Sequence, residues 1–188
     1  MLGSPEAPYV VVELIDYTCP HCRQMNQKIE AAFDRYGSDQ LAVVIMPCPL
    51  ELECNKVLPA TDPMHRGSCK LARLALSVAA VDLSAFRDYH NWLMENVEEV
   101  PPVSKAVIKA FAAVDRKELT ELTESDEIKN RIQKHLRLFS ALVNREPKTG
   151  KSLGLPIQVV GSTVLFGRVE TAEEMFQRWE EAMDIRPR

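Results

Sequence analysis

Residues 17–22 read Tyr17-Thr18-Cys19-Pro20-His21-Cys22, YTCPHC, and the setting of this cysteine pair decides the fold as well as the chemistry. Upstream, residues 9–16, YVVVELID, form an apolar, β-branched run of the kind that makes a buried strand, interrupted by one acid, Glu13. From Pro20 the period changes: Met25, Ile29, Phe33 and Tyr36 recur at helical spacing, and Gly37 is a natural stop. Residues 41–46, LAVVIM, make a second buried strand. Strand, helix and strand in so short a span are a βαβ unit, which implies a parallel pair with a right-handed crossover. The two cysteines therefore sit where a buried strand hands over to a helix.

Three chemistries compete for such a pair. A structural zinc site needs two more ligands, which Cys48, Cys54, Cys69 or His65 could supply in number. A plain structural disulfide between Cys19 and Cys22 closes so small a loop that it removes little unfolded-state entropy. A dithiol redox site needs an exposed thiol at a helix N-terminus and a partner one turn behind it, which is the context here. Unpaired N–H groups and the positive end of the helix dipole stabilise a Cys19 thiolate, and a protonated His21 would add to the effect. A stabilised thiolate makes Cys19 a better leaving group and its disulfide a stronger oxidant.

The remainder of the chain has a different texture. Pro47 to Gly67 is a long connection rich in proline and charge, of a length that compact domains keep for function or staple down. Helical patterns follow at 68–80, at 84–96 with Ser84 as N-cap and Phe86, Tyr89, Leu93 and Val97 on one face, at 104–113, at 115–122, and at 126–145. After a Lys/Gly/Ser loop at 148–154, strands return at 156–160 and 163–166, joined by the hairpin signal Gly161-Ser162. Thr171-Ala-Glu-Glu174 is a capping box that opens a last helix through Met183, so the acids of Glu170–Glu174 read as a helix start rather than a metal site. His65, His90 and His135, scattered in sequence, read as surface or ordinary packing residues, and Trp92 and Trp179 as core.

The 188 residues, 46% of them apolar, suffice for one domain, or one domain carrying an insertion. A net charge of −4 offers no general argument for nucleic acid or an anionic membrane, and no run is apolar enough to span a bilayer. Met1 runs into LGSPEAPYV without the basic start and apolar stretch of a signal peptide, and a strand begins by residue 9, which suggests a trimmed start.

VELIDYTCPHC, an amphipathic helix after it, GLPIQVV far downstream and FRDYHNWLMEN between them resemble the DsbA-like branch of the thioredoxin superfamily. The resemblance covers most of the chain and implies an α/β, thioredoxin-like fold with an all-helical insertion between βαβ and ββα halves. The core is expected at 1–66 and 147–188, the insertion at 67–146. By the same resemblance Cys19 is the solvent-facing nucleophile and Cys22 the buried resolving cysteine, with Pro20-His21 the dipeptide of DsbA itself. Pro156 matches the proline that follows a cis peptide bond and faces the disulfide; Leu155 stands before it, where the family more often has Thr or Val. Glu13 matches the buried acid that manages the proton of the inner cysteine. A carboxylate inside VVVELI should have a raised pKa. Cys48, Cys54 and Cys69 lie outside the basic motif. The favoured pairing is a structural Cys54–Cys69 disulfide stapling the 47–67 loop, worth roughly 3 kcal/mol in the chain-entropy model, with Cys48 free; a second redox pair is the alternative.

The function implied is thiol–disulfide exchange on protein substrates, in the donating direction, without metal or organic cofactor. A reductase or isomerase of the same fold and a zinc-binding module are the rivals. Expected partners are protein thiols and disulfides and a membrane or soluble redox protein, with neither nucleic acid nor membrane insertion by this segment. Disulfide donors work where oxidation persists, so the expected location is periplasmic or otherwise extracytoplasmic.

Overall fold

The computed structural model describes residues 1–97, 99–145 and 154–188. The loop expected at 148–154 lies, Gly154 apart, outside the described residues, as does the far boundary of the insertion. In chain order the elements are β1 (Leu2–Gly3), β2 (Tyr9–Ile15), α1 (Pro20–Tyr36), β3 (Leu41–Pro47), a single 3₁₀ turn (Pro63–His65), α2 (Ser68–Val81), α3 (Leu83–Met94), α4 (Val103–Ala113), α5 (Arg116–Thr123), α6 (Asp126–Arg145), β4 (Ile157–Val160), β5 (Thr163–Phe166) and α7 (Ala172–Met183).

The sheet order is β1-β3-β2-β4-β5. β2 is central: it runs parallel to β3, with Glu13 opposite Ile45, and antiparallel to β4, with Glu13 opposite Gln158. This position explains why Val11, Glu13, Leu14 and Ile15 are all buried, although only an alternating half of a one-sided strand would be. β4 begins at Ile157 and pairs with β5 across Gly161-Ser162. Gly161 has φ +56°, and a Cβ there would lie 2.8 Å from the Ala182 carbonyl oxygen, so a side chain would push the hairpin off α7.

α1 and α7 pack together, and α7 also lies on β4; α6 lies against β3. α2 touches α3, α4, α5 and α6, so the helical block is organised around one alanine- and leucine-rich helix whose Leu71, Ala72, Leu74, Ala75 and Val78 are all buried.

Two details differ from the reading of the sequence. α3 starts one residue earlier than expected, because Asp82 and not Ser84 is its N-cap: its carboxylate accepts from the N–H groups of Ser84 (2.7 Å) and Ala85 (3.4 Å). The helix ends at Met94, which leaves Val97 beyond it. β1 was not expected either; its two residues pair antiparallel with Ala42 and Val43 at the sheet edge, too short a run to show any period.

Candidate active site

The strand-to-helix junction builds the site. Cys19 is the N-cap of α1, with extended φ/ψ of −76° and 119°, and Pro20 takes the first helical position, where a missing N–H costs nothing. The Cys19 N–H donates to the Asp16 carbonyl (3.0 Å), and the Cys19 carbonyl accepts the first helical bond from Arg23 N–H (3.1 Å). Cys19 keeps 7% of its surface exposed and Cys22 none. Both are free thiols.

The two sulfurs are electrostatically unequal. Cys19 has its pKa lowered, first because the Cys22 thiol donates a hydrogen bond to it, and further by the backbone N–H groups of Cys22 and His21; burial and the Asp16 charge oppose this. Burial pushes the Cys22 thiol well up, and its role as donor to Cys19 holds it there. The Asp16 N–H donates to the Cys22 sulfur (3.5 Å). The His21 backbone N–H reaches the Cys19 sulfur, and its side chain is exposed. Across the site, the Leu155 carbonyl lies 3.7 Å from the Cys19 sulfur, and the Leu155–Pro156 peptide bond is cis. Both residues are buried.

Glu13 is buried in the centre of the sheet. Burial raises its carboxyl to about 8 against the opposing pull of the Gln158 amide beside it, and its charge is felt by Cys22 and Tyr17. Among the described residues its Oε1 has no hydrogen-bond partner, nor does Gln158 Nε2, whereas Gln158 Oε1 accepts from Trp179 Nε1 (3.0 Å). An acid left so poorly solvated holds its proton more tightly than an exposed one.

Three further constellations converge here from distant parts of the chain. Asp16 is fully buried, and its carboxylate accepts from Thr18 N–H (2.7 Å), Thr18 O–H (2.6 Å), Leu50 N–H (2.6 Å) and Ser68 O–H (2.7 Å). His65 Nδ1 stands 2.8 Å from the Thr18 hydroxyl and 3.7 Å from Asp16, so His65 is not a plain surface residue. His90 is not ordinary packing either: Nδ1 lies 3.0 Å from the Tyr17 hydroxyl and Nε2 2.9 Å from Asn26 Oδ1, and burial holds it neutral with a pKa lowered to about 3. An amide oxygen only accepts, so His90 Nε2 carries the proton and Nδ1 accepts from Tyr17.

Arg23, next to Cys22, is buried and among the described residues donates to main-chain carbonyls: Tyr17 (3.1 Å), Leu93 (2.8 Å), Asn96 and Glu99 (2.8 Å). The cation thus satisfies the C-terminal end of α3 and ties it to the active-site turn. The roles of these residues carry little local signal, because each has a partner dozens of positions away: Leu50 and Ser68 for Asp16, Thr18 for His65, Tyr17 for His90, and Leu93 for Arg23.

The stapled connection delivers His65. Cys54 and Cys69 are joined by a disulfide with their Cα atoms 5.7 Å apart. The Glu51 carboxylate accepts from Gly67 N–H (3.1 Å) and Cys69 N–H (2.9 Å), which supplies the N-terminus of α2 with the anion its glycine N-cap lacks. Cys48 is a free, buried thiol pushed well up by burial, and its S–H donates to Met46 O (3.4 Å). Among the described residues no group of three or more His, Cys, Asp or Glu side chains is placed to hold a metal ion, and no helix is long and apolar enough to cross a membrane.

The sequence matches the family model described as Thioredoxin over residues 1–144. Among solved structures, ScsC of Proteus mirabilis in a transitional conformation superposes with a TM-score of 0.71 at 23% identity, covering 96% of this chain and 70% of that one. The thiol-disulfide exchange protein alpha-DsbA2 of Wolbachia pipientis gives 0.72 at 16%, with 96% and 84% covered. Oxidised BdbD of Bacillus subtilis gives 0.66 at 19%, with 97% and 91% covered. At these identities the likeness is one of fold. No curated protein matches the sequence.

Proposed function

This chain belongs to the thioredoxin family, with a fold like that of alpha-DsbA2, and from that premise we propose that it is a protein thiol–disulfide oxidoreductase working through Cys19 and Cys22 as a disulfide donor. The observation that carries the reading is the asymmetry of the pair: a slightly exposed sulfur at a helix N-terminus with its pKa lowered, and a buried one with its pKa raised.

In the donating direction a substrate thiolate attacks the Cys19 sulfur of the Cys19–Cys22 disulfide. A substrate–Cys19 bond forms, the Cys19–Cys22 bond breaks, and the electron pair leaves on Cys22. Buried Cys22 takes up a proton as it leaves, and Glu13, which keeps its proton to about pH 8, is the acid placed to manage that charge. A second substrate thiolate then attacks the substrate sulfur and expels Cys19 as the stabilised thiolate. The substrate is oxidised by two electrons, the pair is reduced, and a membrane or soluble redox partner reoxidises it. Leu155 and Pro156 form the edge against which an extended substrate segment pairs, since the Leu155 carbonyl already faces the Cys19 sulfur.

On this reading 1–66 and 147–188 form the catalytic core and 67–146 an inserted helical cover, and the protein works outside the cytoplasm, where disulfides persist. Neither metal nor organic cofactor takes part. The deciding experiment equilibrates the pair against a glutathione series. A potential near roughly −120 mV supports donation; one near roughly −270 mV reverses the direction of flow; no Cys19–Cys22 bond at any poise removes the redox reading.

A further inference from the structure

Asp16 is a buried negative charge three residues before Cys19, and the exchange steps leave it without a task. Its four hydrogen-bond donors are all neutral. Among the described residues, the only basic side chain within ion-pair distance is His65, at 3.7 Å. Its charge weighs against the Cys19 thiolate.

Counting protons settles how His65 is held. The Thr18 hydroxyl has one hydrogen, and the carboxylate oxygen 2.6 Å away can only accept it. The Thr18 oxygen is then an acceptor toward His65, so Nδ1 carries a proton and donates across 2.8 Å. Nε2 is left as the atom that gains or loses charge. The side chain is 13% exposed, open enough to exchange that proton and closed enough for its charge to count.

We propose that His65 is a positioning residue for Cys19: its protonated imidazole offsets the buried Asp16 charge and so favours the Cys19 thiolate and strengthens the pair as a disulfide donor. The proposal rests on the Cys19/Cys22 reading above and deepens it. It also gives a task to the 47–67 connection. The Cys54–Cys69 bond and the Glu51 contacts to the start of α2 fix the segment whose 3₁₀ turn carries His65 to Thr18. The titratable and charged groups that face it are Asp16 after β2 and, beyond Thr18, Cys19 at the start of α1, with Asp62 and Arg66 flanking it on its own turn.

Without a cation at position 65, Asp16 stands uncompensated and the thiolate becomes harder to form. An opposite charge close by shifts a titration by one to a few units, and Thr18 lies between the imidazole and Cys19, so an effect of roughly three- to tenfold is expected. The test tracks the alkylation rate of Cys19 against pH, together with the glutathione equilibrium of the pair. The variants are His65→Gln, whose amide can still donate to Thr18, His65→Lys, which restores a charge, and Asp16→Asn.

His65→Gln should slow alkylation by roughly three- to tenfold and make the pair less oxidising by the same factor, Asp16→Asn should do the reverse, and His65→Lys should return toward wild type. A His65→Gln profile that superimposes on wild type in both assays overturns the proposal. So does a loss that His65→Lys shares with His65→Gln, which marks a structural part only. A wild-type pair that never equilibrates with glutathione removes the redox reading itself, a result distinct from either.

Discussion

Replacing Glu13 by Gln should make the protein more stable and less active, and the two effects should separate by pH. In the folded chain burial raises the carboxyl to about 8, from 4.5 when free in solution. Between those values the native state holds a proton that the unfolded chain has released. The native state therefore binds more protons, and its stability falls as pH rises from about 4.5 to about 8, then levels off. Each pH unit in that window costs about 1.4 kcal/mol, so by pH 7 the burden is on the order of 3 kcal/mol, a sizeable share of the 5–15 kcal/mol typical of a domain, and near pH 5 it is below about 1 kcal/mol. The amide of the Glu13→Gln variant has no proton to lose and should be free of this slope.

The assay is urea unfolding of oxidised wild-type and Glu13→Gln protein at several pH values; burial and Gln158 alone set the shift, so the oxidised form serves. The stability difference should widen by about 2–3 kcal/mol between pH 5 and pH 7. Parallel pH profiles would refute the reasoning, since they would mean that Glu13 titrates alike in both states. Turnover of the variant should fall over the same range, because no acid remains beside Cys22.

Other substitutions probe the site more directly. Cys19→Ser should abolish exchange while Cys22→Ser accumulates mixed disulfides through Cys19, read by mass spectrometry of trapped adducts; adducts that survive loss of Cys19 would assign the nucleophile elsewhere. Arg23→Met should take a charged donor away from four main-chain carbonyls and cost on the order of 3 kcal/mol by urea unfolding, with faster amide exchange in the α3–α4 connection. Arg23→Lys, which cannot fork across the same carbonyls, should recover only part of this; a fully stable Arg23→Met would show that the cation holds nothing together.

What could be read from the residues alone was what they encode locally. Cys19 and Cys22 sit one helical turn apart after a run of β-branched residues, so strand, helix start and thiol asymmetry are all legible within a short stretch of chain. The capping box at Thr171 is equally local, and its hydroxyl accepts from Glu174 N–H at 3.1 Å. Asp82 and Ser84 show the limit: both are good N-caps, and only the chain direction at Leu83 chooses between them. His65, His90, Arg23 and Asp16 were beyond such reading. Each draws its significance from a partner on another element, such as Ser68 for Asp16 or Tyr17 for His90, and a lone polar residue looks the same whether its partner exists or not. Glu13 was visible because an acid inside an apolar strand is anomalous by itself.

The bond between Cys54 and Cys69 also imposes an order of events on the life of the chain. Cys69 has no exposed surface and Cys54 only 6%. Exchange requires a thiolate to approach a sulfur along the bond it will break. Once α2 and the preceding connection have closed over these two sulfurs, the Cys69 sulfur has no approach and the bond is open to attack from the Cys54 side alone. The bridge is therefore most readily made while the newborn chain is still open, whatever the oxidant. A protein proposed to hand out disulfides is thus first the recipient of one.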